Sequence, residues 1–222
     1  MSTLDESMIP PLDEDLEIIH ERSYLVRVYR RSDTEIVIRG AVCDVKPAGL
    51  YIPEDNEPFR LHHMVVDLTV ERPSMQILDA KVHFKSYVHE TCPAIVTNYE
   101  KLIGLNMGRG FTAKVRELFG GPRGCAHTTA LLQAMAPTSV QAAGSLRAVM
   151  GREVAAGIRE REQSDAWAKT TSMNVNACHI WAEDGDTVAG MREGRRPSVP
   201  LSVRLRYKEL NRDPNSWFNR MG

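Results

Sequence analysis

The sequence predicts an α+β fold: an antiparallel β-sheet or small sandwich packed against a helical segment, with late strands returning to the sheet. Three observations lead there. Apolar residues alternate in four segments before residue 90, and short turns join most of them. After Pro93 the apolar spacing lengthens to three and four residues, and near the C-terminus the alternation returns.

The first strand pair is expected where Tyr24, Val26 and Val28, then Ile36, Ile38 and Val42, mark one face, with Ser32-Asp33 as the turn. Residues 46–60 hold Pro47, Gly49, Pro53 and Pro58 and read as a loop. A third strand follows, with Met64, Val66, Leu68 and Val70 on one face. Arg72-Pro73-Ser74 turns the chain into a fourth strand carrying Leu78, Ala80, Val82 and Phe84. Phe111, Val115, Leu118 and Phe119 lie at helical spacing. Val140, Ala143, Leu146, Met150, Val154 and Ile158 predict a long surface helix with Thr138 or Ser139 as its N-cap. Residues 171–181 and 201–207 read as late strands separated by a Gly-, Arg- and Pro-rich loop over 183–200. Residues 1–20 read as a flexible acidic lead-in, and 21–222 as a single domain.

Composition narrows the function classes. The 222 residues are 42% hydrophobic and 26% charged, as in an ordinary globular protein. Twenty-eight basic and 29 acidic side chains give a net charge of −1, which argues against a nucleic-acid or membrane-surface partner. No apolar run approaches the ~20 residues that span a bilayer. The acidic, proline-containing start is unlike a signal peptide, so a cytoplasmic location is expected. Cys43, Cys92, Cys125 and Cys178 lie far apart and are expected as free thiols, with Cys43 a small core residue.

The stretch Gly120-Gly121-Pro122-Arg123-Gly124-Cys125-Ala126-His127, followed at once by a helix-forming run, concentrates the chemistry. A cysteine where a glycine-rich loop enters a helix sits among exposed N–H groups at the positive end of the helix dipole, which favours the thiolate. Inside one helix, Cys125 and His127 would point about 200° apart. They converge only if Cys125 remains in the loop while His127 starts the helix. His62 shares an apolar strand face and reads either as a core histidine or as a ligand aimed at the helix layer; His63 and His83 read as solvated. Asp44, ending the second strand, could orient a histidine or take a proton, or merely cap a turn. Arg109, in Gly108-Arg109-Gly110, and Arg123 are candidates for binding an anionic substrate. If the fold gathered Cys92, Cys125, His127 and Cys178, that set would suit Zn²⁺ or an iron–sulfur cluster.

Several segments also carry a resemblance. They are His20-Glu21-Arg22, Asp44-Val45-Lys46-Pro47, His62-His63-Met64, Cys92-Pro93, the run from Leu102-Ile103-Gly104-Leu105 to Gly108-Arg109-Gly110-Phe111, and Gly120-Gly121 to Gly124-Cys125-Ala126-His127. Over roughly residues 20–180 the chain resembles a bacterial family catalogued as domain of unknown function number twenty-eight eighty-nine. That family favours His-Asp-Met where this chain has His62-His63-Met64, and Gly-Cys-Thr-His-Leu where it has Gly124-Cys125-Ala126-His127-Thr128. An Asp-Gly turn usual near Asp33 is Asp33-Thr34 here, which marks a divergent member. The resemblance implies a shared fold and shared site positions and brings no established activity.

Two functions fit these residues. One is a cytoplasmic enzyme acting on a small anionic organic substrate in a hydrolytic or lyase-type step. In it Cys125 is nucleophile or metal ligand, and His127, His62 and Asp44 assist. The other is a non-catalytic metal-binding module, or an accessory subunit of a catabolic complex. A homo-oligomer or partner enzyme would then meet the 183–200 loop and the apolar Trp217-Phe218. An enzyme needs an open site beside the thiol, whereas a structural metal needs four closing ligands.

Overall fold

A computed structural model describes residue 9 and residues 16–108, 110–158, 174–195 and 198–220. Most of the expected acidic lead-in, the first part of the expected strand over 171–181, and Arg109 lie outside these residues.

The alternating segments form β1 (Glu21–Arg30), β2 (Glu35–Lys46), β3 (Phe59–Glu71) and β4 (Ile77–Ser86). They make one antiparallel sheet in the order β1-β2-β3-β4, the single-sheet alternative rather than a sandwich. Its inner face carries Ile36, Ile38, Val42, Met64, Val66, Leu68 and Val70, all buried. Period-two alternation thus places every second side chain of β2 and β3 in one layer.

The opposing layer begins with a 3-10 segment, Cys92–Leu102, which buries Tyr99 and Leu102. Helix α1 (Phe111–Phe119) buries Phe111, Val115 and Phe119, the stripe that its spacing predicts. Tyr99 and Phe119 stack with ring centroids 4.8 Å apart. A short 3-10 turn, Gly121–Arg123, then leads into α2 (Ala126–Ala155). Helix α2 buries Leu131, Leu132, Met135 and Ala136 against the sheet and reaches β1, β2 and β3.

Close approach of α2 depends on Gly40. A β-carbon there would lie 2.7 Å from Met135 Sδ and 3.0 Å from Leu131 Cδ1. Gly40 stands on the inner face between Ile38 and Val42, so the absent side chain is where the helix sits.

The structure corrects four expectations. Thr138 and Ser139 do not cap a new helix; α2 runs through Pro137 without a break. Their hydroxyls instead donate back to the carbonyls of Ala134 and Ala136 within the same helix, at 3.2 and 2.6 Å. The expected strand over 201–207 is instead a helix. The 183–200 loop contains another, so these are α3 (Asp186–Arg192) and α4 (Leu201–Glu209). In α4 only Val203 and Tyr207 are half-buried, four residues apart, while Leu201 and Leu205 face solvent. The apparent alternation therefore mixed a helix's inner and outer sides, and the Arg, Lys, Leu and Glu content favours a helix. Residues 174–181, the described part of the other expected late strand, are turns ending in a 3-10 turn at His179–Trp181. The fold is α+β with its strands confined, among the described residues, to the N-terminal half.

A last 3-10 segment, Pro214–Arg220, contacts α2. Trp217 and Phe218 there are half-buried and meet edge to face, with centroids 5.2 Å apart. No helix among the described residues is long and apolar enough to cross a membrane.

Replacing Gly40 with valine is expected to force α2 off the sheet and to destabilise the fold by about 1–3 kcal/mol, the usual range for overpacking. Urea unfolding of Gly40→Val against wild type measures it.

Candidate active site

At one end of the sheet the inner-face pattern changes from apolar to polar. Asp44 continues the buried row of β2 beyond Val42 and is only 2% exposed. The strand register sets Arg22 of β1 directly opposite Asp44 on one side and His62 of β3 opposite it on the other. A register shift beside Asp44, where Val45 pairs with Arg60, ends the regular ladder at this point. Such bulges re-aim side chains at the ends of sheets. His127, in the first turn of α2, descends onto this row from the helix layer.

These groups converge on one carboxylate. Arg22 donates from Nε to Asp44 Oδ1 at 2.5 Å and from Nη2 to Oδ2 at 2.7 Å, a bidentate fork. His62 Nδ1 lies 3.1 Å, and His127 Nε2 2.9 Å, from Oδ2. His20, just before β1, brings Nε2 to 3.8 Å from Oδ1. The His62 and His127 rings stack with centroids 4.1 Å apart. The other nitrogen of His127, Nδ1, faces Cys125 Sγ at 3.8 Å.

Cys125 is the residue just before α2, in extended conformation (φ −85°, ψ 128°), and His127 is inside the helix. The loop-to-helix boundary thus brings the two side chains together. Buried Tyr99 holds the boundary: its hydroxyl accepts from the Cys125 N–H at 2.7 Å and reaches the Cys125 carbonyl at 3.4 Å. Gly124 lets the loop fold tightly against α1, since a β-carbon there would lie 2.5 Å from the Phe119 carbonyl oxygen.

Electrostatics follow from this packing. The Arg22 fork, helped by His127 and opposed by burial, holds the Asp44 carboxyl well below the usual carboxylate range. Asp44 in turn raises Arg22. Burial, His62 and the Arg22 charge push His127 down, and Asp44 only partly offsets them. Asp44 is therefore an anion and His127 a neutral imidazole near pH 7. With Asp44 accepting from Nε2–H, the free lone pair of His127 is on Nδ1, the nitrogen facing the thiol.

The other expected residues fall elsewhere. Arg123 donates from Nε to the Glu117 carbonyl at 2.9 Å and from Nη2 to that of Arg116 at 3.4 Å, tying down the end of α1 rather than facing the thiol. Among the described residues, the side chains whose ligand atoms gather within 4.8 Å are Asp44, His62 and His127. Cys92 and Cys178 are not among them, so the expected Cys92, Cys125, His127 and Cys178 set is not assembled. Cys92 starts the 3-10 segment that follows β4, and exposed Cys178 precedes a turn after α2. Cys43 does not join the inner core; it pairs with His63 in register and is half-buried, and burial raises its thiol. Arg22 and Tyr99 were not expected at the site. Arg22 had a usable signal, because a hairpin centred on Asp33 puts residues 22 and 44 opposite each other.

Asp44 and His127 both have lowered pKa values, so acid weakens the fold through each. The Asp44 contribution is whole above about pH 4, its unfolded value, and is lost as pH falls toward the lower folded value. The His127 contribution is whole above about pH 6.5 and is lost as pH falls below it. Wild-type urea midpoints are therefore expected to fall on acidification from pH 7. Asp44→Asn is expected to cost about 1–3 kcal/mol at pH 7, less than a fully buried pair because Arg22 is partly exposed, and to flatten the limb below about pH 4.

No curated protein and no solved structure matches the chain. A family model does, described as "Protein of unknown function (DUF2889)", and it covers residues 20–141, from His20 through the whole sheet, the Cys125–His127 boundary and the first half of α2. With more than half of its length matched, the chain belongs to the DUF2889 family.

Proposed function

We propose that the protein is a thiol-dependent enzyme that hydrolyses a small, anionic organic substrate, with Cys125 as nucleophile, His127 as general base and Asp44 as the group that orients His127. The observation that carries this reading is the continuous line Asp44 Oδ2, His127 Nε2, His127 Nδ1 and Cys125 Sγ, with gaps of 2.9 and 3.8 Å, at the N-terminus of α2.

Each residue has one task. Asp44, anchored by Arg22, accepts from Nε2–H and keeps the lone pair on Nδ1. His127 takes the Cys125 proton through Nδ1. The thiolate attacks the substrate's carbonyl carbon, and the leaving group departs with the proton that His127 returns. Water, deprotonated by the same imidazole, then hydrolyses the thioester and releases Cys125. The first-turn N–H groups of α2 lack intrahelical partners by geometry, and they stabilise the developing oxyanion. The Cys125 N–H is not one of them, because it is bonded to Tyr99.

The substrate's negative charge is drawn to the helix end, since the Arg22 charge is already paired with Asp44. Arg123 takes no part in this reading, since its guanidinium is held at the end of α1. Four free cysteines and a working thiol suit a reducing compartment, so we place the protein in the cytoplasm.

Iodoacetamide alkylation of Cys125 at pH 7 tests the couple without knowledge of the substrate. Wild type is expected to react at least about tenfold faster than His127→Ala, with Asp44→Asn between them. A panel of carboxylate-bearing esters and thioesters then tests the reaction, with turnover lost in Cys125→Ser. Equal alkylation of wild type and His127→Ala would remove the reading.

A further inference from the structure

We infer that Asp44, His62 and His127 form a binding site for one borderline divalent transition ion, Zn²⁺ or Co²⁺, and that its occupancy and the Cys125–His127 couple exclude each other. The exclusion rests on the thiol-enzyme reading; the binding does not.

Binding follows from the convergence of donors. Asp44 Oδ2, His62 Nδ1 and His127 Nε2 all lie within 4.8 Å of one another, two imidazole nitrogens and one carboxylate oxygen from three separate elements. Both nitrogens aim at the same oxygen, at 3.1 and 2.9 Å. Metal–ligand bonds of about 2.0–2.2 Å fit an ion seated between three such atoms after small adjustments. Two histidines and a carboxylate suit Zn²⁺ and Co²⁺ better than Mg²⁺ or Ca²⁺, which prefer oxygen. The ligands are also pre-positioned. His62 and His127 are 14% and 17% exposed, their rings stack, and Arg22 fixes the carboxylate through Nε on Oδ1 and Nη2 on Oδ2, so an ion would share Oδ2 with the guanidinium. His20, 3.8 Å from Oδ1, stands on the more exposed side, where its side chain is 36% accessible.

Exclusion follows from the nitrogen used. To assist Cys125, His127 keeps its proton on Nε2 and its lone pair on Nδ1. To hold an ion, Nε2 must give up its lone pair, so the ring proton resides on Nδ1. An imidazole protonated at Nδ1 cannot take the thiol proton there. Sγ lies beside Nδ1, on the far side of the ring from the ion, so Cys125 is not a ligand.

The test is a Co²⁺ titration of the metal-free, reduced full-length chain, followed by visible absorption and by Cys125 alkylation with iodoacetamide. One Co²⁺ per chain is expected, displaced by Zn²⁺. The thiolate-to-cobalt charge-transfer band should be absent, and Cys125→Ser should bind the ion as wild type does. His62→Gln should lose binding, and its fold is checked by circular dichroism. Zn²⁺-loaded wild type should be alkylated as slowly as metal-free His127→Ala. Absence of stoichiometric binding in wild type would overturn the site whatever the variants do, as would binding that survives in folded His62→Gln. Unchanged alkylation in the loaded protein would overturn the exclusion. If metal-free wild type and His127→Ala react alike, the thiol reading fails while the binding result stands.

Discussion

The structure turns on one buried anion, the carboxylate of Asp44. An ionised group 2% exposed at the end of an apolar strand row costs several kcal/mol to desolvate unless donors replace the water. Here Arg22, His62 and His127 replace it, and they arrive from β1, β3 and α2. The requirement to satisfy Asp44 therefore ties together three elements on which sequence patterning alone places no mutual constraint. Removing Arg22 would leave the two histidines gathered around a charge without its counterion, which is why the cluster acts as a unit rather than as separate pairs.

The apolar fold makes this convergence affordable by fixing the height of α2 above the sheet. Gly40 admits Met135 and Leu131 at the middle of the contact, and Tyr99 pins the backbone of Cys125 at the helix start. One contact sets how close the helix lies, and the other sets where it begins. Between them His127 meets Asp44 in the first turn. A residue earlier or later along the helix would rotate it about 100° away.

The sheet was legible because β2 and β3 alternate cleanly and the β1–β2 turn is short. The Cys125–His127 boundary was legible for a similar reason: two residues apart, they can meet only across a loop-to-helix junction, where Gly124 stands. The long-range part was not legible. Asp44 and His62 are joined through a proline-rich loop and a register shift, so no count of residues sets them opposite each other. The error over Thr138 and Ser139 arose because hydroxyls that can cap a helix can equally bond back within one. In 201–207 the alternation spans too few residues to distinguish a strand from a helix with only Val203 and Tyr207 turned inward.

Charge balance links the two chemistries assigned to the cluster. Asp44 and Arg22 cancel, and His127 is held neutral by burial and by its neighbours' charges. A divalent ion would add two positive charges to a largely enclosed space, beside a guanidinium that must stay protonated. Something negative must then accompany it: hydroxide or an anionic ligand entering past His20. The anionic substrate proposed for the metal-free site would instead meet the α2 N-terminus, whose first N–H groups have no intrahelical partner, because the Arg22 charge is already matched by Asp44. The two proposed modes therefore differ in the charge that the site must balance and in which nitrogen of His127 holds the proton.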